Sequence, residues 1–280
     1  MATYLSMATI RHSLCLTIAL LFLGACNNNT TNNGNQQSGD TSLFANSDAV
    51  NERYGTQTSR ELSPQVDEAT RLAVVQSLNN FSFDLHRAVS SGAPSEGSVE
   101  SGYSAAVALA LTSAATGGST YSSLAALLGI DTLPEDDVHA ALNDLALKLE
   151  SRTNEDLVLR TANRVFVKPG LDLQTEFLDT ATTDFGAPVT DADFAGSPAE
   201  VADAVNGWVS EQTDGFIPTM VKEFTPDTVF ALLNAIILDA RWEDAFQTKG
   251  DQAFITSDGS AVDVPSFGGR ANLLSRVVMP

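Results

Sequence analysis

Two spacings of apolar residues divide the chain. In the first half they recur every three or four positions. After Ser63-Pro64, apolar residues fall at Leu72, Val75, Leu78, Phe81 and Leu85. That spacing predicts a helix with Ser63 as its cap and Pro64 at its opening. "SGYSAAVALALTSAATGG", from Ser101, is a second helix, small and apolar nearly all round, and is expected at the centre of the fold. "STYSSLAALLGI" and "PEDDVHAALNDLALKLES" read as two more helices, each with one apolar face. The spacing then changes. Leu157 to Val167 is β-branched and mostly apolar, the signature of a strand. "LQTEFLDTATTDFG" returns to helix. "SPAEVADAVNGWVSEQTDG" begins with Ser197, Pro198 and Glu200, a capping box with proline at the first helical position, and Gly215 stands near its far end. From Val229 to Leu238 nine of ten residues are apolar, and the tenth is Asn234. "QAFITSDGSAVDVP" predicts two short strands about an Asp258-Gly259 turn. Helices come first and strands later, which is the order of an α+β fold. No internal repeat is present.

Asn234 poses a problem. A buried amide left unpaired costs about 1–3 kcal/mol. A strand this apolar carries such a residue only where partners are waiting for it.

The first residues belong to a different pattern. Arg11 and His12 precede "SLCLTIALLFL", an apolar run too short to span a bilayer as a stable helix. A basic start, an apolar run and small residues make a secretory signal. The cut region reads Leu23-Gly24-Ala25-Cys26 and resembles the lipobox of bacterial lipoproteins at all four positions. The resemblance implies a signal peptide over residues 1–25, cleavage before Cys26, and acylation of its sulfur. Multiple acyl chains hold stably to a bilayer, each buried CH₂ contributing about 0.8 kcal/mol. Asn27 stands where aspartate commonly marks inner-membrane retention, which points the anchored protein to the outer membrane and cell surface. Cys15 lies in the removed segment, so the mature chain has no thiol for a disulfide or a metal. Residues 26–63, opening "CNNNTTNNGNQQSGDTS", are too polar to fold and read as a flexible tether reaching on the order of 30–35 Å.

Charge narrows the partners. The chain carries 35 acidic and 15 basic residues, a net −20. That balance argues against binding nucleic acid and against docking on anionic lipid by charge. It suits a soluble, acidic surface. Enzyme motifs are absent: there is no G-x-S-x-G, H-E-x-x-H, P-loop or G-x-G-x-x-G. His86 and His139 are the two histidines outside the leader, each on a predicted helix, and neither position suggests catalysis. The carboxylates are spread over helix surfaces with no acid/base pair. No enzyme activity, metal or cofactor is expected.

Several segments, in order from about Leu72 to Pro265, resemble the serpin family of serine protease inhibitors. "NNFSFDLHRAV" and "SGYSAAVALALTSAATGGST" look like its first two helices, and "ANRVFV" like the strand that follows. "VNGWVSEQTDGFIPTMV" is similar to a helix with Asn206, Trp208, Thr213, Gly215 and Ile217 at matching places. "LLNAIILDARWEDAFQT" matches through Asn234, Ala235, Trp242, Phe246 and Thr248, and "FITSDGSAVDVP" through the strand pair.

The resemblance implies a serpin-like fold, with N-terminal helices packed on a large mixed sheet. It implies inhibition of serine, or else cysteine, proteases: a cleaved reactive loop enters the sheet with the protease still attached. It places Ser101, Ser104 and Asn234 in a polar cluster called the shutter, where hydroxyls would pair with the amide. Trp242 falls at the breach, where insertion begins. Three departures stand out. Gly102 replaces the proline usual after Ser101, and Leu238-Asp239-Ala240 replaces an aromatic-basic-Gly run. The likeness fades after Phe267, and the chain ends at Pro280. Residues 64–280 are thus expected to be a partial serpin domain, incomplete at its C-terminus, without a reactive-centre bond and with its long apolar strand as a bare edge. The other reading is a truncated or degenerate, non-inhibitory surface lipoprotein acting as a binding module.

Overall fold

The computed structural model describes residues 12–24, 59–92, 99–242, 246–256 and 258–268. Cys26, most of the tether and the segment ending at Pro280 lie outside these residues.

The helices are α1 (Glu68–Gly92), α2 (Gly102–Ala114), α3 (Gly118–Leu128), α4 (Glu135–Glu150), α5 (Thr175–Thr183) and α6 (Pro198–Gln212). The strands are β1 (His12–Gly24), β2 (Leu157–Val167), β3 (Val189–Asp191), β4 (Thr228–Ala240), β5 (Gln247–Ile255) and β6 (Ala261–Gly268). Among the described residues, one sheet has the order β1-β4-β2-β3 and a second pairs β5 with β6. The chain divides into two compact units, one spanning Leu14–Leu238 and the other containing Asp239 onward.

In the larger unit the sheet lies between two apolar layers. Strand side chains alternate between faces. Val165 and Val167 of β2 and Phe230 and Leu232 of β4 join a core with α1 to α5. Phe166, Ala231, Leu233 and Ala235 face the other way, into a core with Val201, Val205 and Val209 of α6. Burial on both faces explains why β4 reads as a continuous apolar run rather than an alternating one.

Most elements fall where the apolar pattern puts them, but several details differ. α1 starts at Glu68, because Asp67 accepts a hydrogen bond from Thr70 N at 3.0 Å. Ser63 is not its cap. Its inward face is Val74, Leu78 and Phe81, and Leu72 is exposed. Ser197 caps α6 without a side-chain bond, so the expected capping box does not form, although Pro198 does open the helix. β3, only three residues long, carries no pattern to read in sequence. It pairs in parallel with β2, Val165 opposite Val189.

The chain is gripped earlier than its composition suggests. Arg60, inside the stretch expected to be a tether, donates to Asn143 Oδ1 at 2.7 Å and pairs with Glu150 at 3.1 Å. Glu61 O accepts from the buried Asn143 Nδ2 at 2.7 Å. The N-terminal apolar run, expected to be removed as a leader, forms strand β1 beside β4 in the intact chain. An apolar edge strand is a template for any extended apolar segment attached to it.

The β5–β6 hairpin runs antiparallel, with Ile255 opposite Ala261. Its turn is wider than Asp258-Gly259 alone: Thr256 N donates to Ser260 O and Gly259 N to Thr256 O, both at 2.9 Å. Gly259 takes a φ of 84°, which glycine adopts without strain.

Candidate functional site

The amide in β4 has its partners. Asn234 points to the same face as Phe230 and Leu232, toward α2 (parity decides this along a strand). Ser104, in the first turn of α2, donates its hydroxyl to Asn234 Oδ1. Asn234 Nδ2 donates to Asn163 Oδ1 of β2 at 2.6 Å. Asn163 Nδ2 donates in turn to Phe185 O at 3.0 Å. Ser104, Asn234 and Asn163 are all buried. The result is a polar relay running from α2 through β4 and β2 to the loop after α5. Each donor has an acceptor, so the burial penalty of the amides is removed.

Of the sequence-predicted trio, Ser104 and Asn234 meet. Ser101 does not join them. It is the N-cap of α2, its Oγ accepting from Ser104 N at 3.1 Å. The cap and the relay are coupled all the same, since one residue, Ser104, takes part in both. Asn163 is the member that sequence reading left out. A signal existed: it is a second amide in a second buried strand. No sequence spacing shows that two strands seventy residues apart will be neighbours.

Gly102, where the family usually has proline, has a local reason. A Cβ there would lie 2.6 Å from Ser82 Cα of α1, so the start of α2 runs against its neighbour's backbone.

The other matched residues brace α6 and the chain after it. Asn206 Oδ1 accepts from Met220 N at 2.8 Å and Val221 N at 2.9 Å, and its Nδ2 donates to Val221 O at 2.7 Å. Thr213 donates to Val209 O and accepts from Ile217 N, at 2.7 and 3.1 Å. Asp214 N and Gly215 N donate back to Glu211 O and Ser210 O, a Schellman close with Asp214 left-handed at φ 50°. Trp208 stands edge-on to Phe166 at 6.2 Å, and Arg164 lies over both rings. Thr213, Gly215 and Ile217 are therefore a helix stop, and Asn206 is a clamp. None of them presents reactive chemistry.

Trp242 belongs to the smaller unit. It is exposed, with its ring edge-on to Phe246 at 5.1 Å. His86 is exposed on α1, 3.3 Å from Glu100. His139 is buried on α4 against the ring of Phe185 at 5.3 Å. Burial lowers its pKa to about 4, with the Asp136 carboxylate acting weakly in the other direction. The other ring nitrogen of His86, Nε2, lies 3.5 Å from Ser90 Oγ one turn along the same exposed helix face. Among the described residues, no group of three His, Cys, Asp or Glu is placed to hold a metal ion.

Comparison with known proteins agrees with this architecture. Residues 76–273 match the family described as Serpin (serine protease inhibitor). Alpha-1-antiproteinase of Callosciurus caniceps is 32% identical over 211 residues, 72% of this chain and 50% of its own. Cleaved kallistatin complexed with heparin superposes with a TM-score of 0.64 at 24% identity, covering 70% of this chain and 58% of that one. Human thyroxine-binding globulin complexed with thyroxine gives a TM-score of 0.61 at 23% identity, covering 71% and 54%. The chain spans about half the length of the curated relatives it matches.

Proposed function

Because the chain belongs to the serpin family, we propose that it is the N-terminal part of a protease inhibitor that traps serine, or else cysteine, proteases by insertion of a cleaved loop into the sheet beside β4. The reactive loop would come from outside the described residues. The observation that carries this reading is the Ser104–Asn234–Asn163 relay. A sheet that must part needs contacts that hold its strands in one state and can be exchanged in another. Hydrogen bonds between side chains do this, because each donor can find a new acceptor on an incoming strand. Ser104 and Asn234 thus act as the shutter, with Asn163 as a third member, and Trp242 would mark the breach.

We further propose that the protein is exported and held by acylated Cys26 on the outer membrane, facing outward. The Leu23-Gly24-Ala25-Cys26 sequence supports this. Metabolic labelling with palmitate should mark the native chain, and Cys26→Ala should abolish both the label and membrane retention.

The test of inhibition begins with the gene. The reading frame is followed through Pro280, and the protein encoded there is expressed whole. It is then mixed with trypsin, chymotrypsin and elastase. A denaturation-resistant complex with one of them is expected. Cleavage without a complex, at every protease tried, would transfer the protein to the alternative class, a non-inhibitory lipoprotein that serves as a binding module.

A further inference from the structure

A cavity of about 710 Å³ opens where the end of α2, the start of α4, α5 and the start of β4 converge. Its volume falls within the range of small-molecule sites. Its floor is apolar, made by Ala114, Leu171, Leu173, Phe177 and Phe230. Four carboxylates, Glu135, Asp136, Asp172 and Glu176, stand around it, and no lysine or arginine lines it among the described residues. Carboxylates alone would be an ordinary acidic surface. A second feature makes this a site. His139 lines the same cavity although its side chain is only 4% exposed. Its Nε2 is 3.9 Å from Glu135 Oε1, beyond hydrogen-bond reach. Its ring packs on Phe185 instead. The imidazole is not sealed away: among the described residues the buried side-chain atom without a partner is Thr182 Oγ1, so His139 faces the cavity and is open to a donor there.

We propose that this cavity binds an organic ammonium: a protonated amine carried on an apolar body of about ten carbons. The body would lie on Phe177, Phe230 and Leu173. The ammonium would sit at Glu135 and Asp136 and donate one hydrogen bond to the neutral imidazole of His139. A carboxylate ligand would be repelled by four like charges. A neutral ligand of the same shape would gain only the apolar contact. Because the floor includes Phe230 of β4 and Ala114 of α2, the bound ligand would also brace the sheet against the helices that carry the relay.

The probe is 4-phenylbutylamine, with 4-phenylbutanol and 4-phenylbutyrate as controls of the same body, titrated into the full chain by calorimetry. The amine should bind at least tenfold more tightly than the alcohol and raise the melting temperature. The butyrate should bind weakest. Glu135→Gln with Asp136→Asn should weaken the amine about tenfold and leave the alcohol unchanged. Ala114→Phe, which fills the floor, should weaken the amine and the alcohol together. Equal binding of all three compounds, no binding to a protein that melts cooperatively, or an amine affinity untouched by the paired carboxylate change would each overturn the proposal. The carboxylate variants alter the cavity's rim, so they decide the question even if Ala114→Phe does not fold.

Discussion

At the scale of single residues, two buried polar groups set the terms. Asn234 both accepts and donates across the relay. Asn234→Ala would leave the Ser104 hydroxyl and the Asn163 oxygen without partners, and should destabilise by about 2–4 kcal/mol. Asn163→Ala should cost less. Urea denaturation of the two single variants and the double should show a coupling of about 1 kcal/mol or more. Additive effects would mean the two amides do not communicate. His139 makes a different prediction. Burial holds its pKa at about 4, below the ordinary 6.5, so the folded state favours the neutral ring. The stabilisation is complete above pH 6.5 and is lost as pH falls from there to about 4. The pKa difference corresponds to about 3 kcal/mol. Chemical denaturation at pH 7, 5.5 and 4.5 should show this slope, and His139→Phe should flatten it.

At the scale of elements, ends and close approaches decide stability. α6 stops through Asp214 in a left-handed conformation, with the glycine one position later. Glycine accepts that conformation at lower cost than aspartate. Asp214→Gly should therefore raise stability by about 0.5–1 kcal/mol, despite losing the exposed contact to Arg160. A lower melting temperature would show that this contact matters more than the backbone. Gly102 gives the opposite sign. Alanine is the better helix former by about 1 kcal/mol. Its Cβ would meet the backbone of α1 at Ser82, however, and overpacking costs about 1–3 kcal/mol. Gly102→Ala should melt lower than the native chain.

At the scale of the molecule, the side of β4 away from β2 is the decisive feature. In the intact chain β1 lies there. A chain starting at Cys26 would present β4 with one side unpaired, and β4 is apolar on both faces. Light scattering should find the shortened chain in oligomers or aggregates where the intact chain is less associated. An equally dispersed shortened chain would show that β4 is protected by other means. The same edge is where the proposed inhibitory mechanism admits a strand, so association of the shortened chain and loop insertion would compete for one surface.

The sequence by itself determined the order and type of nearly every element, because helix and strand spacings are local and α2, β2, β4 and α6 are long enough to display them. It also determined that Asn234 needed partners, because a lone amide in an apolar strand is expensive anywhere. It identified Ser104 as one of them through resemblance. The tertiary structure decided the rest. It made Ser101 a cap rather than a member of the relay and brought in Asn163 from β2. It placed β3 beside β2, docked Arg60 against α4, and gathered His139 with four carboxylates around one cavity. These outcomes depend on which distant segments become neighbours. Hydrogen bonds reach only about 3 Å, and which groups stand within that range is set by packing, not by sequence spacing.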